Sequence, residues 1–201
     1  MFRVFQLTLA ASLLLLTLPA ISWTHPHSFI TTSYALVFDN QGLTGIRVYW
    51  SFDEMYSSMT GGDFDKDKDG TFNTQESDEL VQLAIAHLPP FHFFTNIEID
   101  GQLFPVNAVS DFKITFESGQ LDYEFFVPCP VPVKNQIQTI KIAPYDPEYS
   151  AAMFFATDQP VFLEKAENFK LDISIGEDPN KTIFFDMIHP ETLTLTFQNK
   201  L

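Results

Sequence analysis

Residues 29–52 read FITTSYALVFDNQGLTGIRVYWSF. Ile30, Thr32, Tyr34, Leu36 and Phe38 fall on one side of an extended chain, and Asp39-Asn40-Gln41-Gly42 supplies a turn. Ile46, Val48, Trp50 and Phe52 then repeat the period of two on the way back. Alternation of this kind places every second side chain on one face, so the stretch predicts a β-hairpin with one buried side. The same signal returns further along. Ile97 and Ile99 lead into Asp100-Gly101, a favoured hairpin turn, followed by Leu103, Phe104 and Val106. Phe112, Ile114 and Phe116 alternate up to Glu117-Ser118-Gly119-Gln120, and Leu121, Tyr123, Phe125 and Val127 alternate back.

More strands are expected at Ile137–Ile142, Ala152–Ala156, Val161–Leu163, Phe169–Ile175, Thr182–Asp186 and Leu193–Phe197. The segment Pro128 to Pro132 is too rich in proline for a central strand. Many short strands separated by turns, in a chain with 22 phenylalanines, predict a mainly β, sandwich-like domain. A chain of 201 residues is one domain by default, here residues 23–201.

An insertion at residues 53–90 interrupts the strands. Its centre is Asp65-Lys66-Asp67-Lys68-Asp69-Gly70-Thr71-Phe72-Asn73-Thr74-Gln75-Glu76, which has the spacing of an EF-hand calcium loop. Calcium takes six to eight hard oxygen ligands. Asp65, Asp67 and Asp69 would each give a carboxylate oxygen, Thr71 its backbone carbonyl, Asn73 a ligand directly or through water, and Glu76 both oxygens. Gly70 supplies the turn, because glycine adopts the left-handed conformation without steric cost. Asp53 to Met59 reads as a short entering helix broken at Gly61-Gly62, and Leu80, Leu83, Ala84 and Leu88 as a helix ended by Pro89-Pro90. EF-hands usually pair through the residue at loop position eight. With no second loop in the chain, Phe72 must pack on the body of the domain or on a partner.

The net charge of −15 argues against nucleic acid or an anionic membrane surface as partner. Residues 1–22 read as a cleavable signal peptide, with Arg3 in the n-region, Leu7 to Leu18 as the apolar core, and Ala20 and Ser22 at the cleavage pattern. No later stretch is long and apolar enough to span a bilayer, so a periplasmic location without an integral segment is expected. Cys129, the only cysteine, excludes an intrachain disulfide and reads as a small packed residue.

His25-Pro26-His27 follows the signal segment. Two imidazoles two residues apart can converge on nickel, cobalt, copper or zinc, and the alternative reading is a polar lead-in to the first strand. Cleavage after Ser22 would leave Trp23-Thr24-His25 at the new end, a square-planar nitrogen site; cleavage after Thr24 would make His25 itself terminal. His87, His92 and His189 read as structural, and Tyr145-Asp146-Pro147-Glu148-Tyr149 as a turn. No nucleophile elbow, HExxH motif or phosphate-binding loop is present, and no enzyme activity is expected.

Taken as a set, His25-Pro26-His27 with Phe29-Ile30, Trp50-Ser51-Phe52-Asp53-Glu54, the acidic loop, Phe93-Phe94-Thr95 and Tyr145–Tyr149 resemble a bacterial family of unknown function, described as the periplasmic component of an uncharacterised ABC-type transport system. The resemblance covers most of the mature chain, and the family's association with nickel/cobalt-type permeases implies a role in metal handling. The expected function is thus an exported metal-binding accessory protein, calcium-binding through residues 65–76, that delivers a transition metal through His25 and His27 to an inner-membrane metal permease or ABC-type transporter. The alternative is a calcium-stabilised β-sandwich that acts as an interaction module.

Overall fold

The computed structural model describes residues 26–200. Strand makes up 51% of the described residues and helix 18%, so the mainly β class holds. The opening hairpin forms as its alternation requires. β1 (Ser28–Asp39) pairs antiparallel with β2 (Gly42–Phe52), and Ile30, Tyr34, Leu36, Phe38, Ile46, Val48 and Trp50 are all buried. At the turn, the Asp39 carboxylate accepts hydrogen bonds from the Gln41 and Gly42 amides.

The insertion follows as helix α1 (Glu54–Phe64), the acidic loop, helix α2 (Thr74–His87) and a 3-10 turn (Pro89–Phe94). The remaining strands are β3 (Thr95–Ile99), β4 (Gln102–Phe104), β5 (Ser110–Glu117), β6 (Gln120–Pro132), β7 (Gln138–Pro144), β8 (Ala151–Phe155), β9 (Val161–Glu164), β10 (Phe169–Glu177) and β11 (Glu191–Asn199). They form two sheets. The first runs β5-β6-β2-β1-β8, with β9 also on β1, and the second runs β10-β11-β7-β3-β4. Since β2 lies in the first sheet and β3 in the second, the insertion carries the chain across from one to the other.

A shared core joins the sheets. Phe38 of the first sheet meets Phe169 and Phe197 of the second, at ring-centroid distances of 5.1 and 5.6 Å. The turns expected at Asp100-Gly101 and Ser118-Gly119 form, and all four residues take positive φ.

Two local expectations are corrected and one holds. Pro128 to Pro132 is no central strand; it forms the end of β6. It pairs with β2 on one side only, because pairing with β5 stops at Phe126, and proline's missing N–H is tolerated on such an edge. Thr182–Asp186 is not a strand. Phe184, Phe185 and Asp186 take positive φ within a tight loop closed by an isolated bridge between Ile183 and Ile188, so no neighbour completes a ladder. Gly61-Gly62 does not break α1, which runs through both to Phe64.

Candidate functional site

The acidic loop is held between two capped helices. At the entrance to α1, Asp53 is the N-cap and its carboxylate accepts from the Tyr56 amide at 3.0 Å. At the other end, Asn73 caps α2 and forms a reciprocal capping box with Glu76. Glu76 is 3% exposed. Its Oε1 accepts from the Lys66 amide at 2.7 Å and its Oε2 from the Asn73 amide at 2.9 Å. The buried carboxylate thus ties the second residue of the loop to the ninth. Asp65 accepts from the Gly70 amide at 2.9 Å, and Gly70 takes the positive φ of 86° that the turn needs.

This brings ligand oxygens of Asp65, Asp67 and Glu76 within 4.8 Å of one another. Carboxylate oxygens carry about two lone pairs each. The backbone bonds to Glu76 therefore leave acceptor capacity on both of its oxygens, and three hard anionic groups on a short loop fit a calcium ion. Asp69 stands outside the trio, because its Oδ1 accepts from the Thr71 amide and hydroxyl at 2.9 and 2.8 Å. Asn73 turns its side-chain oxygen to the Gln75 and Glu76 amides. Asp67 is exposed, yet desolvation within the loop and the nearby charges of Asp69 and Glu76 hold its carboxyl above the usual carboxylate range.

The edge of the loop that a second EF-hand would occupy is taken by the β5–β6 hairpin. Thr71 forms a β-bridge with Glu117, and the Phe72 amide donates to the Phe116 carbonyl at 3.1 Å. The Phe72 and Phe116 rings lie 4.9 Å apart, so Phe72 packs on the domain body. α1 and α2 also press on this hairpin: Gly61 faces the Phe116 ring, and the Ser77 hydroxyl donates to the Ile114 carbonyl.

Of the paired histidines, His25 lies outside the described residues. His27 is exposed, and its amide donates to the Ser150 carbonyl at 2.7 Å. Among the described residues, no cluster of three metal-ligating side chains includes it. The other histidines face backbone carbonyls: Nδ1 of His87 is 2.8 Å from Leu83, that of His189 3.0 Å from Lys181, and that of His92 3.4 Å from Val106.

Sequence reasoning missed two organising carboxylates. Asp53 bonds the start of β1, accepting from the Phe29 amide at 2.7 Å while its own amide donates to the Phe29 carbonyl. These bonds and the one from Tyr56 overcome the upward effect of partial burial, and hold the Asp53 carboxyl below its usual range. Asp146, 3% exposed, accepts from the amides of Glu148, Ser150 and Ala151 and so shapes the 145–149 turn. The Asp-Pro pair signalled that turn, but nothing local signalled the partner of Asp53, which stands 24 residues away.

The chain is 28% identical over 140 residues to an uncharacterized protein of Haemophilus influenzae, an alignment that covers 68% of this chain and 66% of that relative, just under two thirds of its length. It is 21% identical over 135 residues to an uncharacterized 15.5 kDa protein in the trpE 3' region of Spirochaeta aurantia, covering 67% of this chain and 96% of that protein. Residues 10–183 match the profile of one family, through the hairpin, the acidic loop and the 145–149 turn, and the chain belongs to that family, described as protein of unknown function DUF1007.

Proposed function

We propose that this chain is an exported metal-binding accessory protein that holds one calcium ion in residues 65–76 and serves a membrane transporter of a transition metal. The observation that carries the calcium reading is the approach of Asp65, Asp67 and Glu76 oxygens to within 4.8 Å of one another. Asp69, Thr71 and Asn73 would complete the shell, directly or through water. Affinity is expected at roughly 10⁻⁴–10⁻³ M, the range of extracellular modules. An ion bound that weakly stabilises structure in a calcium-rich medium and makes a poor trigger. The unpaired loop, backed by its own hairpin, supports a structural clip.

Export rests on the signal-like residues 1–22, and delivery to an inner-membrane permease or ABC-type transporter rests on the family resemblance and on His25 and His27. Calorimetric titration of the mature protein with calcium, and separately with nickel, cobalt, copper and zinc, tests both parts. Glu76→Gln is expected to abolish the first signal and His25→Ala/His27→Ala the second. Transition-metal binding that is unchanged in the double variant removes the transport reading.

A second reading, a calcium-stabilised interaction module, is supported by exposed aromatic groups. The Phe29 and Phe154 rings stack 6.5 Å apart at 47% and 48% exposure, and Phe185 is 87% exposed. Solvent-facing aromatic clusters are common at protein contacts.

A further inference from the structure

Three of the five segments that carry the family resemblance meet around one apolar cavity of about 290 Å³. The first segment contributes Ile30, the second Trp50 and Phe52, and the 93–95 segment Phe94. α2, which the acidic loop leads into, closes the cavity with Leu80 and Ala84. Trp50, 2% exposed, backs the wall, with the rings of Phe94 and Tyr123 stacked 6.0 and 6.1 Å away and that of Phe52 edge-on at 6.3 Å. Phe94 has φ 45°, the third of three successive non-glycine residues in the left-handed region, where bulky side chains are uncommon. The backbone tolerates that conformation while it presents the ring to Trp50.

The chemistry of the lining limits what can enter. Its polar side chains are Ser28, His87, the phenols of Tyr56 and Tyr123, and the Trp50 indole, whose buried Nε1 has no hydrogen-bond partner. Burial pushes both phenols up, so they stay neutral. The His87 ring is engaged with the Leu83 carbonyl. No carboxylate or ammonium lines the cavity, so an ion entering it would lose its water shell with no opposite charge to meet. The chain's net charge of −15 adds a field that repels anions. Ligand cavities of roughly 300–1,000 Å³ take small organic molecules, and this one stands at the small end of that range.

We propose that the cavity binds one uncharged, ring-sized hydrophobic molecule, packed between α2 and the half-buried rings of Tyr56 and Phe94. The site stands independently of calcium, since none of the three acidic ligands lines it. The test uses the full mature chain and N-phenyl-1-naphthylamine, a neutral probe whose emission rises in apolar surroundings, titrated with and without calcium. One-to-one saturable binding is expected, and Ala84→Phe, which puts a ring into the cavity, is expected to weaken it at least tenfold. The anionic probe 1-anilinonaphthalene-8-sulfonate is expected to bind at least tenfold more weakly than the neutral one. No saturable binding by the parent, parent-like affinity in a folded Ala84→Phe, or equal affinity for the anionic probe each overturns the proposal. If Ala84→Phe does not fold, methyl resonances in the unsubstituted protein decide. Indole must shift Ile30 and Leu80, and shifts confined to other methyls overturn it.

Discussion

Glu76 holds two structures together with one carboxylate. It is the third helical residue of α2, a partner in its capping box, and the last position of the acidic loop, and it is buried. Glu76→Gln keeps one accepting oxygen, but its NH₂ group turns a donor towards one of the two amides that Glu76 receives, those of Lys66 and Asn73, and the charge is lost. Stability in chelator is therefore expected to fall by about 1–3 kcal/mol, while calcium affinity falls at least tenfold and calcium no longer raises the melting temperature. Thermal melts with and without calcium, beside calorimetric titration, check this. Asp53 works without a metal. It caps α1 and receives the Phe29 amide, so Asp53→Ala is expected to cost about 1–2 kcal/mol, the upper part of the N-cap range, in urea unfolding. Its carboxyl is held below the usual range by these bonds. That stability is present above the carboxyl pKa of the unfolded chain and is lost as pH falls through the lower, folded value. Asp53→Asn is expected to be less stable than the parent at neutral pH and to flatten this part of the acid dependence, which unfolding curves at a series of pH values will show.

At the scale of the element, the adjacent glycines of α1 part company. Their sequence, Gly61-Gly62, reads as a helix break, yet each does something different. A Cβ on Gly61 would stand 2.3 Å from the Phe116 ring, whereas one on Gly62 would meet nothing within 4 Å. The first glycine lets the helix lie close to the β5–β6 hairpin that backs the acidic loop. The second is a solvent-facing position with a poor helix former. Gly61→Ala is expected to destabilise by about 1–3 kcal/mol, because overpacking outweighs a propensity gain of at most about 1 kcal/mol. Gly62→Ala is expected to stabilise by about 0.5–1 kcal/mol. Urea unfolding of the pair measures both signs. The helix–loop–helix was thus legible in its loop spacing, in the helical period of Leu80, Leu83 and Ala84, and in the stop at Pro89-Pro90. Its tolerance of two glycines was not, because the Phe116 that requires one of them lies 55 residues further on.

At the scale of the molecule, the insertion is the crossing between two sheets, so its order fixes how β2 in one sheet continues into β3 in the other. A calcium ion held in the acidic loop, as proposed above, would restrain the helix pair against the β5–β6 hairpin without entering the shared core. Cys129 reports on that core. It is fully buried, and burial pushes its thiol up to about 12. Labelling with a thiol-reactive disulfide reagent at neutral pH is expected to be at least a hundredfold slower in the native protein than in urea. Its rate should rise with the unfolded fraction.

What the sequence by itself determined is local. Period-two alternation set the strands of the opening hairpin, Asp-Gly and Ser-Gly pairs set the tight turns, and the 65–76 spacing set a loop with its oxygen-bearing residues and its glycine. Each of these follows from interactions between residues a few positions apart, which composition and order reveal directly. Only the tertiary structure decided the rest. It made Pro128–Pro132 an edge strand because pairing with β5 stops at Phe126, and it denied Thr182–Asp186 a ladder because the chain turns back at Phe184, Phe185 and Asp186 to bridge Ile183 with Ile188. It also put Phe116 where a second EF-hand would stand, and gathered Ile30, Trp50, Phe52 and Phe94 round one cavity. Those outcomes depend on which distant surfaces come to lie side by side, and that is settled by burying both inner faces at once.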